Sequence, residues 1–316
     1  MRRISALVGL PLMLLIAACA EPGASGPAGA GARPDQRSDA FEQRATEVAE
    51  AWRAAVGPGK WQQGYVPMQN ATVLPADPGF TEDTKHAFAA GWYRDGIPLP
   101  ATKPADGTVR FPDGTLSVPL VSAKDAYREL DQGDPPPCAR PAAPAPSGGA
   151  ASGSVSSTPS SACIPLTVTG VKLGSATVRT SRGDASVPAW LFTIEELKAP
   201  IARLAVAPAA IAPMPTASAP APQLPEGFVS AQDLTGVDGA KLSYRLGVGA
   251  CDKEIEPLVQ ESDDVIVVGG AVSRSDQPCT MQLLLHPVTV TLDRPLGARP
   301  VLDAGSGQPL LLTTVR

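Results

Sequence analysis

The sequence predicts an α+β N-terminal domain followed by a smaller β-rich, sandwich-like C-terminal domain. Three observations carry this expectation. Apolar residues recur at helical spacing in the first third, at Phe41, Ala45, Val48, Trp52 and Val56. Short alternating or wholly apolar runs divided by Gly and Pro fill the rest. Between them, residues 207–225 read "APAAIAPMPTASAPAPQLP", a composition suited to a semi-extended linker.

In chain order, residues 1–18 join Arg2 and Arg3 to an apolar run, Ile4 to Ala18, too short to span a bilayer and built like a secretory leader. Residues 19–38 are rich in Gly, Ala and Pro and read as a flexible tether of roughly 25 Å mean span. The α+β domain is expected at 39–206. Asp39 and Glu42 can form a capping pair at the start of its first helix, and Gly57-Pro58 ends it. Residues 60–75 carry Gly64 and Pro67 and read as extended segments. Thr81 to Arg94 reads as a second helix bearing His86, Phe88 and Trp92.

"TVRFPDGTLSVPL" has hairpin alternation about Pro112-Asp113-Gly114, and Ser122 with Asp125 caps a short helix lined by Ala123, Tyr127 and Leu130. Residues 134–162 hold almost no large apolar side chain and read as a disordered loop. The strands expected next are "LTVTGVKLG" with a bulge at Gly170, "ATVRTS", "VPAWLFTI" and "IARLAVA". The β-rich domain at 226–316 offers "LSYRLGVGA", "DDVIVVGGAV", "TMQLLLHPVTVTLD" and "QPLLLTTV" as strands.

Composition narrows function by exclusion. The 316 residues carry 26 Lys and Arg against 31 Asp and Glu, a net charge of −5, with no long basic run, so no nucleic acid partner is expected. Four cysteines remain beyond Cys19, namely Cys138, Cys163, Cys251 and Cys279. An even set in an exported chain reads as disulfides. Three pairings are permitted. Local pairing, Cys138 with Cys163 and Cys251 with Cys279, is the simplest because each pair lies on one side of the linker. With two histidines and no Cys-x-x-Cys, neither a metal nor a cofactor is expected.

No catalytic set assembles from the sequence. His86 and His286 have no nucleophile motif around them, and no G-x-S-x-G, H-E-x-x-H, P-loop or G-x-G-x-x-G occurs. Glu195-Glu196 and the run Glu261, Asp263, Asp264 are carboxylate clusters that solvation at strand ends explains. Asp303 lacks EF-hand spacing with them, and Arg182-Gly183-Asp184 reads as a turn. Trp61 and Trp92, beside Gly and polar residues, are the candidate exposed binding aromatics, whereas Trp52 and Trp190 suit a core.

Ile16-Ala17-Ala18-Cys19, at the end of the apolar leader, resembles the lipobox of bacterial lipoproteins. "SATVRTSRGDASVPAWLFTI" and "VTVTLDRPLGARPVLDAGSGQP" extend the likeness to uncharacterised actinomycete lipoproteins, which combine a lipobox, an Ala/Pro/Gly tether and β-rich exported domains. The resemblance implies lipidation at Cys19, membrane attachment through that N-terminal lipid, and a position on the extracytoplasmic face of the cell membrane. It brings no activity with it. The function expected is a non-catalytic module for a cell-wall ligand or an envelope protein. The alternatives are an envelope hydrolase using unrecognised carboxylates and an accessory or sensor subunit of a membrane complex.

Overall fold

A computed structural model describes residues 34–57, 60–135, 164–216, 224–274 and 279–313. Strands account for 44% of the chain and helices for 18%, and the strands form several sheets, so the fold is β-rich.

The first helix, α1, runs Pro34–Val56 and starts inside the expected tether. Proline fits a first helical turn, and no breaker follows it before Gly57, whose φ of 48° ends the helix. Next come α2 (Lys60–Gln63), where extended chain is expected, and β1 (Thr72–Val73). The helix α3 covers Glu82–Ala90. Thr81 caps it by accepting from the Thr84 amide, and Gly91 at φ 69° stops it in the left-handed conformation. It is therefore shorter than the expected 81–94, and β2 (Tyr93–Asp95) occupies the remainder.

The expected hairpin is β3 (Gly107–Phe111) with β4 (Gly114–Val118), and α4 (Ala123–Leu130) follows with Ser122 accepting from the Asp125 amide. The strands β5 (Leu166–Thr180), β6 (Gly183–Ile194) and β7 (Ile201–Leu204) complete the first body. β5 is continuous where two strands are expected, and it absorbs the bulge between Val168 and Gly170. These seven strands form one sheet, ordered β1-β7-β6-β3-β4, with β5 beside β6 and β2 parallel to β5. Its core includes Phe192, Leu166, Ile194 and Ile201, and Trp190 donates its indole N–H to the Val121 carbonyl at 3.0 Å.

The second body holds β8 (Phe228–Val229), β9 (Ala231–Asp238), β10 (Lys241–Gly249), β11 (Lys253–Glu261), β12 (Ile266–Ser273), β13 (Leu283–Thr291) and β14 (Val301–Asp303). One sheet runs β13-β10-β9, and the other runs β11-β12-β14 with β8 also on β12. Leu242, Tyr244 and Leu246 from the first meet Ile266, Val268 and Val301 from the second. β12 is buried on both faces, because its other face, with Val265, Val267, Phe228 and Leu302, lies under Phe41, Ala45, Val48 and Trp52 of α1. The helix that opens the described chain thus covers the sheet that closes it.

The Pro/Ala stretch is docked over its first half. Ala207 N–H donates to Pro119 O, and Ala212 N–H donates to Tyr65 O, each at 2.9 Å. Residues 217–223 lie outside the described residues. Backbone bonds also tie the bodies together, from Met68 N–H to Arg179 O and from Leu312 N–H to Met68 O, each 2.8 Å. Cys251 and Cys279 are bridged, with S–S 2.01 Å and Cα atoms 6.0 Å apart. Cys19, Cys138 and Cys163, and with them the leader, the lipobox and most of the loop 134–162, lie outside the described residues.

Candidate functional site

The residues singled out by sequence scatter. Trp61, expected on the surface, is buried at 6% exposure. Its ring meets Trp52 edge-on at 5.0 Å, and Ser181 Oγ donates to its carbonyl at 2.6 Å. The polar neighbours that suggested exposure belong to a single turn of helix, so Gln62 and Gln63 take the outward side and Trp61 the inward one. Trp92 is half-buried, edge-on to exposed His86 at 4.9 Å. The two tryptophans belong to different cores. His286 stands exposed on β13, in the other body from His86.

The carboxylates hold the architecture. Glu196 accepts from the Thr167 amide at 2.8 Å. Glu261 accepts from Arg299 at 2.5 Å, Asp263 from Arg294 at 2.5 Å, and Asp264 from both Arg53 donors at 2.7 Å. Asp303 is buried and accepts from the amides of Ala231 and Ser306. Burial works to raise the Glu261 carboxyl, but Arg299 and the Asp293 amide hold it below the usual range. Arg182 of the Arg-Gly-Asp turn is packed over Phe111 at 3.9 Å and forks onto Asp113. Among the described residues no group of three His, Cys, Asp or Glu could hold a metal ion. No described helix is long and apolar enough to cross a membrane.

Besides a concavity of about 630 Å³ where Glu261, Asp263 and Asp264 meet Arg53 and Arg294, two concavities join cationic and anionic groups. The groove between the bodies, about 660 Å³, is lined by Trp52, Trp61, Arg53, Asp264, Arg182 and Asp113. Its charges are paired with one another, which accounts for them as bracing. The second, about 500 Å³, opens at the β1 edge of the seven-stranded sheet. Register places Thr72 opposite Arg203 across β1 and β7. Arg203 Nη1 donates to Thr72 Oγ1 at 2.9 Å, and Nη2 donates to Glu129 Oε2, at the end of α4, at 2.5 Å. The remaining nitrogen, Arg203 Nε, is buried and has no hydrogen-bond partner among the described residues.

Local structure builds this second site. Gly91 must be glycine on two counts: its φ is positive, and a Cβ would stand 2.5 Å from Gln132 Cγ. Its carbonyl accepts from the Gln132 amide at 2.8 Å, which closes the wall between α3 and α4. Asn70, Phe88 and Tyr93 complete the lining. Burial pushes the Tyr93 hydroxyl above its ordinary range, so it stays protonated and able to donate. The lining is more polar than apolar, and Asn70, Thr72, Glu129, Gln132 and Arg203 converge on a space of small-ligand volume. An unsatisfied buried guanidinium N–H calls for an acceptor, because leaving one unpaired costs about 1–3 kcal/mol. The sequence held one signal for it, a charged Arg203 inside the apolar run "IARLAVA".

Together these features define a β-rich protein of two sheet bodies with a polar pocket at one sheet edge. No family model, no curated protein and no solved structure matches the chain.

Proposed function

We propose that this is a lipid-anchored cell-envelope protein that acts by binding, with the Arg203 pocket as its ligand site. In this reading Cys19 carries the lipid on the extracytoplasmic face of the membrane. The seven-stranded sheet with α3 and α4 is an α+β receptor unit, and the sandwich is its support. The observation that carries the reading is Arg203, which lines the cavity, pairs with its one carboxylate, Glu129, and keeps a buried Nε–H without a partner among the described residues. The ligand it suits is rich in hydrogen-bond acceptors, as cell-wall sugars and their short peptides are. Phe88 offers such a ligand an apolar contact, and Asn70, Thr72 and Gln132 offer polar ones. Binding rather than catalysis is supported by the lining. Its carboxylate, Glu129, and its Thr72 hydroxyl both accept from Arg203, which holds them as parts of a polar rim.

The test has two arms. A soluble disaccharide-peptide fragment of peptidoglycan, titrated into the protein, is expected to raise its melting temperature, as any ligand of the folded state does. Arg203→Met keeps the apolar stem and removes the donors, so it is expected to abolish the shift. An equal shift in wild type and variant, or none in wild type, overturns the site. Separately, Cys19→Ser is expected to leave the protein out of the membrane fraction or unprocessed. Unchanged membrane attachment overturns the anchor.

A further inference from the structure

We infer that β13 is a self-association edge, through which two copies of this chain pair antiparallel about a two-fold axis at Leu284. β13 pairs with β10 alone among the described residues, so one side of it is open. Its beginning is strongly apolar and uncovered. Met281 is fully exposed, and Leu283, Leu284 and Leu285 are 63%, 41% and 45% exposed. The cause lies next door, since Leu283 and Leu285 stand opposite Gly249 and Gly247 on β10, which have no side chains to cover them. Leu283 and Leu285 share that face and Leu284 takes the other, opposite Val248, so the open edge exposes leucines on both faces, as an interaction surface does.

The backbone polarity of the open side follows from two hydrogen bonds. Leu292 N–H donates to Ala240 O, and Gly247 N–H turns the other way, to Ser230 O. Alternate residues of a strand point their N–H and C=O groups to opposite sides. Even-numbered residues of β13 therefore bond β10, and Leu283, Leu285, Pro287, Thr289 and Thr291 face outward. Pro287 fits this assignment, because its missing N–H costs the β10 ladder nothing.

An axis at Leu284 sets Leu283 opposite the second copy's Leu285, and the reverse. Each of these pairs has both N–H groups and both carbonyls on the open side, so each can exchange two hydrogen bonds. One register further out, Pro287 cannot donate, and the ladder ends there. The pairing is thus short and closed, the isologous contact that a two-fold dimer requires.

Charge permits it. From Gln277 to Leu292 no residue is Asp, Glu, Lys or Arg, whereas edge strands that avoid partners are usually guarded by such residues. The disulfide from Cys251 to Cys279 fixes the approach to the strand, two residues before Met281. Other parts of this chain supply no rival occupant. Residues 19–33, 136–163 and 217–223 are Ala, Pro, Gly and Ser stretches without an apolar run to match the leucines. The apolar run of the leader belongs to export.

The experiment is sedimentation of the full-length chain in detergent over a dilution series, with three substitutions on the exposed edge. Wild type is expected to run as a monomer–dimer equilibrium. Leu285→Lys, which sets two like charges diagonally across the axis, is expected to weaken it by about tenfold or more. Leu285 is half-exposed, and an unchanged melting temperature checks that the variant folds. Leu284→Cys is expected to oxidise to a covalent dimer, since facing residues of a non-hydrogen-bonded pair lie about 4.5 Å apart at Cα. Thr291→Cys, beyond Pro287, is expected not to. A wild type that stays monomeric, an equilibrium indifferent to Leu285→Lys, or crosslinking at Thr291 rather than Leu284 overturns the inference.

Discussion

Replacing Trp52 by Ala tests whether α1 and the C-terminal sheet share one core. Trp52 is 3% exposed and packs edge-on against Trp61 at 5.0 Å and 83°. It stands on the helix face that covers Val265, Val267 and Leu302. Removing a buried Trp side chain typically costs about 3–5 kcal/mol. The upper half of that range is expected here, because the aromatic pair contributes about 0.5–1.5 kcal/mol beyond area. Trp61 is also held by its own carbonyl bond to Ser181, so it cannot follow into the void. Against a total stability of about 5–15 kcal/mol the loss is large. In urea it should lower the midpoint by about 1–2 M. Far-ultraviolet circular dichroism is the right readout, since fluorescence would change with the Trp itself. Glu50→Ala, on the exposed side of α1, is the control and should move the midpoint little. A Trp52→Ala loss below about 1 kcal/mol would refute the packing argument. The same argument bears on residues 226–316, expected from sequence as a separate unit. Without α1 that fragment would present the Val265, Val267 and Leu302 face to water, so it is expected not to unfold cooperatively on its own.

Two further outcomes are expected. Tyr65 is 1% exposed and its buried hydroxyl has no partner among the described residues, so Tyr65→Phe should leave stability unchanged or raise it by up to about 1 kcal/mol in thermal melts; a loss of that size would reveal a partner for the hydroxyl. Asp113 and Asp264, on the rim of the groove between the bodies, are held below the usual carboxylate range by hydrogen bonds from Arg182 and Arg53 respectively. A carboxyl whose folded value lies below its unfolded one contributes fully above about pH 4 and loses that contribution as pH falls further. Both side chains are more than half exposed, so solvent screening keeps the effect small. Urea midpoints measured downward from pH 5 should fall less steeply in Asp113→Asn with Asp264→Asn than in wild type, and identical slopes would refute it.

What the sequence disclosed follows a physical line. Ser122 with Asp125, and Thr81 with Gly91, mark helix ends by local hydrogen bonding and a single φ, so α4 and the start of α3 are legible from neighbouring residues alone. β12 and the 107–118 hairpin are legible because burial writes an apolar run or a period of two into the chain. Two other edge strands write neither. β11, "KEIEPLVQE", is mostly half-exposed, and β9, "AQDLTGVD", shifts register twice against β10, so no period survives in either. The partner of an amphipathic face is invisible by the same logic. The spacing of Phe41, Ala45, Val48 and Trp52 fixes that something covers them, but nothing in it names a sheet more than 200 residues later.

Arg203 shows where pattern reading stops and chemistry has to take over. A charged residue amid "IARLAVA" can be a break in a strand, a snorkelling side chain or a buried pair, and periodicity treats all three alike. The structure separates them by counting donors. A guanidinium kept only to brace β7 against α4 would be expected to have every N–H answered, as Arg299 nearly does with Glu261 and the carbonyls of Ser262, Arg294, Pro295 and Leu296. Arg203 donates from both Nη atoms, has no partner at its buried Nε among the described residues, and lines a cavity at the sheet edge. Bracing explains the two bonds it makes. It does not explain the retention of a buried N–H at the Nε position, where Lys has only a methylene. That difference gives a sharper substitution than removal. Arg203→Lys should keep the pair with Glu129, and so most of the stability, while losing the ligand-dependent rise in melting temperature. If Arg203→Lys retained that rise in full, Nε would have no part in binding and the pocket would be only a by-product of the pair.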